Sequence, residues 1–173
     1  MIVPDKTDRF NMYLGVVDAA HRIAVTSEIT LPTFEYMSAT INLSGMAGEV
    51  DSPSSGQVKS TQIELPFTNV SKANFELAGN DSAIIILRAA VEILNTETLL
   101  RLYVNRTIMI KGFTKEINYG KLEKGGYGNP SIKKELIYYK DKVGNDVITE
   151  VDKFNGTTKI NGVDLVADIE DLI

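Results

Sequence analysis

The chain has 173 residues, which is enough for one domain with a sizeable core. Its 43% hydrophobic and 24% charged residues are ordinary for a globular protein and argue against disorder or a fibrous repeat. The absence of cysteine excludes disulfide scaffolds, thiolate nucleophiles and cysteine-ligated zinc, and the net charge of −5 argues against a dedicated nucleic-acid binder.

The beginning of the chain predicts an arm followed by short extended segments. Residues 1–10 carry several charges and no apolar run, so we expect an N-terminal arm without a secretory signal, and no stretch is long enough to anchor the chain in a membrane. Apolar runs at residues 11–17 and 21–25 flank a turn-prone Asp-Ala-Ala triplet, which indicates a small hairpin. Residues 28–34 are rich in β-branched side chains but contain Pro32, so they fit an edge strand.

A long loop and an alternating strand are expected next. Residues 42–57 interleave glycine, proline and small polar residues, which predicts a loop. A loop of this length is usually functional or disordered. Residues 59–67 alternate between apolar and polar side chains, which indicates a strand with one buried face. The polar face of this strand consists of Ser60, Gln62 and Glu64.

The middle of the chain predicts a short helix and then an ambiguous segment. Residues 71–79 have Ser71 as N-cap, apolar side chains at helical spacing and Gly79 as terminator. Residues 82–94 fit both a helical stripe and strict alternation, so periodicity alone leaves them open. Three consecutive isoleucines favour a strand, because β-branched side chains lose rotamer freedom in a helix.

The second half of the chain predicts two β-hairpins and a loop. The partner of the ambiguous segment is expected at residues 99–115, after a polar turn, with a bulge at Arg106. Residues 116–131 form a second glycine-rich loop. Residues 133–143 and 147–154 are expected as strands, since the Gly-Asn-Asp triplet between them is a strong hairpin signal.

No constellation for catalysis or metal binding stands out. His21 is the only histidine, and a lone histidine without an oriented partner is more often a structural residue than a base. The glycines of residues 116–131 lack the spacing of a phosphate-binding loop. Residues 159–173 predict a short acidic helix or ordered tail whose acids are merely spaced. Catalytic, metal-binding and cofactor-binding residues are therefore all expected to be absent.

Three strings, in order along most of the chain, resemble a known family. They are TLP at residues 30–32 followed by SGMAGEVD at 44–51, KGFTKEINYG at 111–120, and KINGVD at 159–164. Together they resemble the major tail tube family of contractile-tailed phages, which also occurs in R-type tail-like bacteriocins. In that family a short helix precedes a long hairpin, which supports a strand at residues 82–94.

The resemblance implies a mainly β fold: a single-domain (residues 1–173) antiparallel barrel or sandwich with one short flanking helix and long loops. Six copies would close into a ring, and rings would stack into a hollow tube. The expected partners are other copies, a sheath protein around the tube, a tape measure protein and, in a phage, DNA in the lumen, with baseplate and terminator proteins at the ends. The particle would be a phage tail or tail-like particle assembled in the bacterial cytoplasm, without enzymatic activity.

In that picture two parts of the chain take on roles. The loop at residues 42–57 would contact neighbouring subunits or rings, and its candidate residues are Gly45, Met46, Gly48, Glu49, Val50 and Asp51. A negative lumen would repel phosphates and let DNA slide. The lumen candidates are Ser60, Gln62 and Glu64.

A β-sandwich module that binds carbohydrate or protein is the alternative from another class, followed by a hydrolase with an unrecognised site. A binding module needs an exposed aromatic platform. The nearest candidates, Tyr138 and Tyr139, are adjacent on a strand, so their side chains should point to opposite faces and form no platform.

Overall fold

The structure, a computed structural model, describes residues 1–15 and 21–167, which form eleven strands and one helix. The mainly β, antiparallel fold with one short helix is thereby confirmed. The elements are β1 (Ile2–Leu14), β2 (His21–Ile23), β3 (Tyr36–Ile41), β4 (Val50–Val58), β5 (Gln62–Pro66), α1 (Lys72–Gly79), β6 (Ile85–Asn95), β7 (Arg101–Asn118), β8 (Ser131–Val143), β9 (Asp146–Asp152), β10 (Thr157–Ile160) and β11 (Val163–Asp164).

One large sheet surrounds the core. Its strands follow the order β11-β10-β9-β8-β7-β6-β1-β2, and β5 pairs with the first part of β8. The Thr26 amide donates to the Pro66 carbonyl oxygen at 3.3 Å, which brings the segment after β2 against the end of β5. The buried cluster draws side chains from β1, β2, β5, β6, β7 and β8, so these six strands enclose a single barrel-like core.

The alternation predicted for residues 59–67 is confirmed. Ile63, Leu65 and Phe67 are at most 1% exposed, whereas Ser60, Gln62 and Glu64 are exposed. Each fully buried apolar side chain of this size contributes about 2 kcal/mol through removal from water. This difference between the two faces of β5 fixes its register against β8, since a slip of one residue would expose all of its apolar side chains.

The predicted helix is confirmed as α1. The Ser71 side chain accepts a hydrogen bond from the Asn74 amide at 3.1 Å, as an N-cap does. Gly79 differs from the prediction, because it is the last helical residue and extended Asn80 is the C-cap. Leu77 is fully buried in the barrel core, so α1 packs against that core.

The long hairpins are confirmed, including the ambiguous segment 82–94, which lies largely in β6. β6 pairs with β7, and β8 pairs with β9 across the predicted turn. The bulge predicted at Arg106 is wrong, because the β6–β7 register is continuous there. The irregularities of β7 instead face β8, between Lys111 and Gly112 and between Thr114 and Glu116.

Two predictions for the beginning of the chain are wrong. Residues 1–10 form no separate arm, because Ile2–Leu14 is the strand β1, paired with β6. Its first half is mostly exposed and holds its place through backbone hydrogen bonds, which the hydrophobic pattern does not report. Residues 28–34 form no strand. Ile29, Leu31 and Phe34 instead pack onto the core from an irregular segment.

The loops also differ from their predicted bounds. Residues 50–57 of the expected 42–57 loop belong to β4, so that only residues 42–49 are irregular. The second glycine-rich loop is confined to residues 119–130. In the C-terminal segment 159–173, residues 159–164 contribute to the β10–β11 hairpin. The acidic helix expected near the end falls mainly on residues 168–173, outside the described residues, as does the turn of the first hairpin.

Candidate assembly surfaces

The β3–β4 hairpin stands apart from the rest of the sheet. It forms its own two-stranded sheet, and every residue from 37 to 51 is exposed. An isolated two-stranded hairpin is marginally stable in water because it has no second layer to cover its apolar side chains. All six inter-subunit candidates (Gly45, Met46, Gly48, Glu49, Val50 and Asp51) lie in this exposed stretch.

The two faces of the hairpin differ in chemistry. Ile41 lies opposite Val50 in the register, and Met37 has the same parity as Ile41, which makes one face apolar. These three side chains are 40–51% exposed. The other face is polar: the Ser38 hydroxyl donates to the Asp51 carboxylate at 3.1 Å, and the Asn42 amide donates to Glu49 at 3.3 Å. In the sequence, residues 37–41 alternate between apolar and polar side chains, which indicates such a two-faced strand. A strand was not predicted there.

The base of the hairpin is closed and is joined to the large sheet. The Lys59 amide donates to the Glu35 carbonyl oxygen at 2.8 Å, which closes the two strands at their base. The Thr158 hydroxyl of β10 donates to the Gly56 carbonyl oxygen at 2.8 Å, which joins β4 to the large sheet. Gly56 has a φ of +79°, and a side chain there would collide with Val166. The hairpin is therefore held firmly at its base, while its outer part has no cover.

The three lumen candidates share the outward face of β5. Gln62 lies opposite Glu135 and Glu64 opposite Lys133, so β8 continues this face. The Ser60 hydroxyl donates to Glu135 at 2.9 Å, and Glu64 accepts from the Ser131 hydroxyl at 2.7 Å. The face is therefore brought together as the alternation predicted.

The acidic side chains next to the β5 face are paired with lysines. The Glu135 carboxylate lies 3.5 Å from the Lys153 amine, and Lys133 pairs with Glu116 at 3.2 Å. Burial raises the pKa of Glu135, but hydrogen bonds from Ser60 and the Thr61 amide, together with Lys153, outweigh it and leave that pKa below its ordinary value. This carboxylate is thus charged and paired.

A second exposed surface is built around the glycine-rich loop. We define the loop surface as Val70, Lys72, Tyr119, Leu122, Lys124 and Tyr127. The loop is ordered by its own backbone: the Lys121 amide donates to the Gly128 carbonyl oxygen at 2.9 Å, and Gly128 donates to Thr68. Its four apolar members are exposed by at least 50%. The aromatic and aliphatic residues of the loop could have indicated this surface in the sequence. The prediction for this segment rested on its glycines.

A third surface lies where β1 begins and the β6–β7 hairpin turns. We define the hairpin-turn surface as Met1, Ile2, Leu99, Leu100, Leu102 and Tyr103, all more than half exposed. Its charges are already matched within the chain. The N-terminal amine pairs with Glu97 at 2.9 Å, and buried Glu92 pairs with Arg101 at 3.1 Å.

Arg106 reaches one end of the barrel core. Its guanidinium donates to both oxygens of buried Asp141, with the shortest contact at 2.6 Å. The hydrogen bond and charge of Asp141 raise the pKa of Arg106 against the effect of burial. Arg106 also lines an open groove of about 710 Å³ between β1 and residues 22–31. Asp141 is thus engaged in an ion pair beside this groove.

Other candidate chemistry is absent from the described parts of the chain. His21 is exposed, with its Nε2 atom 3.4 Å from Glu76, and no group of three or more potential metal ligands occurs in residues 1–15 and 21–167. Within the same ranges no helix is long and apolar enough to cross a membrane.

The two tyrosines considered for a binding platform are separated as predicted. Tyr139 is 5% exposed in the core, and the Tyr138 hydroxyl donates to Glu150 at 3.0 Å on the other face. Burial and the Glu150 carboxylate raise the pKa of Tyr138 to about 12. No aromatic platform arises from this pair.

Two solved structures have similar folds. One is a cryo-EM structure of the anti-feeding prophage baseplate, with 17% identity, a TM-score of 0.50, and coverage of 84% of this chain and 98% of that chain. The other is the sheath/tube terminator of PVC, an extracellular contractile injection system, in its extended state, with 12% identity, a TM-score of 0.52, and coverage of 81% and 97%. At these identities the likeness is one of fold.

The family follows from the sequence as a whole. No curated protein matches the chain. A family model described as "Phage tail tube protein FII" matches residues 4–173, which is nearly its whole length. The β-rich fold and the exposed hairpin agree with a structural role. The chain therefore belongs to the phage tail tube protein FII family and is a structural tail tube subunit.

Proposed function

We propose that this subunit polymerises as hexameric rings, and that the rings stack into a hollow tube inside a contractile sheath. The tube serves as a conduit for DNA in a phage or as the rigid part that perforates a membrane in a tail-like particle. The observation that carries the proposal is the β3–β4 hairpin, whose apolar face has no cover within the subunit. A second copy of the chain supplies that cover, and a contact between unlike surfaces can close a ring or extend a stack.

The hairpin residues take distinct parts in this contact. Val50 contributes to the apolar face with Ile41 and Met37, and Met46 adds exposed apolar area at the tip. Glu49 and Asp51 present charge on the other face. Gly45 has a φ of +95°, a conformation that glycine adopts without strain, and thereby shapes the tip. These contacts bind neighbouring subunits, both around a ring and between rings.

The outward face of β5, with Ser60, Gln62 and Glu64, lines the lumen in this proposal. Support comes from its exposed hydrogen-bonding side chains, none of which is aromatic or basic. The acids next to it are paired with lysines, so that this part of the wall would be polar and near neutral rather than strongly negative. A wall whose lysines are paired with acids holds DNA phosphates weakly.

The other partners that we propose for the subunit are proteins of the whole particle. A sheath protein surrounds the tube, a tape measure protein occupies the lumen during assembly, and baseplate and terminator proteins close the ends. The particle is a phage tail or a tail-like particle, assembled in the bacterial cytoplasm. The fold shared with a baseplate structure and a sheath/tube terminator structure supports this setting.

Negative-stain microscopy of the concentrated protein tests the proposal. We expect uniform hollow rings or tubes from the unsubstituted chain. The double variant Ile41→Ser with Val50→Ser should stay a folded monomer and form no tubes, because it removes apolar area that the monomer leaves exposed. Circular dichroism checks the fold.

The matched control is Thr40→Ser, on the polar face of the same strand. This variant should form tubes like the unsubstituted chain. A concentration-independent monomer of the unsubstituted chain would refute the tube, and unchanged tubes from the double variant would refute the role of the hairpin.

A further inference from the structure

We infer that the β3–β4 hairpin of one copy docks on the loop surface of a second copy. This inference rests on the proposed function and names the recipient of the hairpin. It predicts a head-to-tail contact between Met46 at the hairpin tip and Leu122 in the glycine-rich loop. Charge, exposed apolar area and the position of the two surfaces in the fold favour this contact.

The hairpin carries uncompensated negative charge. Residues 36–58 contain Glu49 and Asp51 and no lysine or arginine. In the described residues these two carboxylates accept hydrogen bonds from Asn42 and Ser38 but form no ion pair. Because the two acids lie on the face opposite Ile41 and Val50, a surface that receives the hairpin should offer apolar contact to one face and an unpaired cation to the other.

The loop surface meets both requirements. Val70, Tyr119, Leu122 and Tyr127 are exposed, and Leu122 has no cover at all. Among the described residues, Lys72 and Lys124 form no ion pair, whereas the neighbouring Lys121 pairs with Glu123. The loop surface thus combines apolar area with two available positive charges.

The hairpin-turn surface is the strongest competitor, and its charges argue against it. It is equally apolar, but the cations beside it are engaged. Arg101 and Lys6 both pair with Glu92, and the N-terminal amine pairs with Glu97. An acidic hairpin docked there would gain no unpaired cation and would approach Glu97.

The position of the two surfaces permits a head-to-tail contact. The hairpin leads into the start of β5, where Gln62 lies opposite Glu135. The glycine-rich loop ends at Pro130, whose carbonyl oxygen accepts from the Phe67 amide just after β5. Because the base of the hairpin and the loop surface lie at opposite ends of β5, contact between two copies leaves one hairpin and one loop surface available for further copies.

The loop surface is shaped before docking. Gly120 has a φ of +72°, and a side chain there would overlap the Gly128 carbonyl group, so the loop can close only with glycine at that position. Tyr119 stacks on Phe75 of α1 with ring centroids 5.5 Å apart. A recipient that is already ordered loses little conformational entropy when the hairpin binds.

Disulfide cross-linking tests the contact, and the natural absence of cysteine makes the background clean. Met46→Cys and Leu122→Cys are purified separately, mixed under conditions of assembly and oxidised. We expect a covalent dimer of one chain of each kind on a non-reducing gel. The matched control pairs Met46→Cys with Leu99→Cys on the hairpin-turn surface, which should give only the background level of dimer.

Charge reversal provides a second measurement that does not depend on cysteine. Glu49→Lys with Asp51→Lys should abolish tubes, and so should Lys72→Glu with Lys124→Glu. Mixing the two variants should restore assembly. The lysine-bearing hairpin of one variant is attracted to the glutamate-bearing loop surface of the other, and the two unchanged surfaces also attract each other.

The outcomes separate the inference from the proposed function. Tubes that form without the 46–122 cross-link, or with a 46–99 cross-link in its place, overturn the docking site and leave the tube standing. Failure of the mixed charge variants to assemble also counts against the docking site. If the unsubstituted chain never assembles, both the proposed function and the docking site are overturned.

Discussion

Gly112 lies at a register shift where β7 approaches β8 so closely that a side chain has no room. A Cβ at this position would overlap the Glu135 carbonyl group, which is backbone and cannot move aside. Gly112→Ala should therefore destabilise the monomer by about 3 kcal/mol, in the range of overpacked sites. The midpoint of urea unfolding measures this loss.

Gly79 supplies the control for that substitution. It is helical, and a Cβ there would meet nothing within 4 Å. Gly79→Ala should stabilise the protein by up to about 1 kcal/mol, because alanine favours a helix over glycine. Equal effects at the two glycines would contradict the steric explanation.

Glu135 ties the base of the hairpin to the sheet, and its charge should make stability depend on pH. The pKa of Glu135 in the folded protein lies below its ordinary value of 4.5. Its contribution is therefore fully present above that value and is lost as the pH falls through the lowered pKa. At pH 7, Glu135→Gln should cost about 1.5 kcal/mol, as expected for hydrogen bonds to a charged group.

The pH profile of unfolding separates this role from simple packing. The difference between Glu135→Gln and the unsubstituted chain should shrink on acidification below pH 4.5. The control is Glu28→Gln, because Glu28 is exposed and forms no ion pair among the described residues. A difference that stays constant with pH would show that the charge of Glu135 is unimportant.

At the scale of the element, α1 depends on its first residue. The Ser71 side chain satisfies the Asn74 amide, which has no partner inside the helix. Ser71→Ala should lower the free energy of unfolding by about 1 kcal/mol. Ser44→Ala, in the exposed hairpin loop, should change it little. Equal losses for the two serines would argue against a capping role.

The elements that were predicted share a strong local signal. Residues 59–67 alternate cleanly, Ser71 caps a helix, and the Gly-Asn-Asp turn joins β8 to β9. The elements that were missed depend on distant partners. β1 is a strand because β6 pairs with it, and β4 contains Gly56 and Pro53, which are rare in strands.

At the scale of the molecule, the fold class was predictable and the enclosure of the core was not. Antiparallel hairpins could be predicted from alternation and turn residues. The family was predicted from the resemblance of several sequence strings. Closure depends on the Thr26 contact with Pro66 and on the irregular packing of residues 28–34, neither of which has a period in the sequence. The six inter-subunit candidates of the sequence lie in the exposed hairpin, where their role stays a prediction, and the apolar side chains Met37 and Ile41 were not among them.

The base of the hairpin and the loop surface lie at opposite ends of β5, which gives the subunit a direction. A tube whose rings stack through this contact is polar along its axis, and its two ends are chemically unlike. One end displays acidic, apolar hairpins, and the other displays lysines among exposed aromatic rings. A protein that binds one end cannot bind the other in the same way, so the proteins that start the tube and stop it must differ in charge at their contact surfaces.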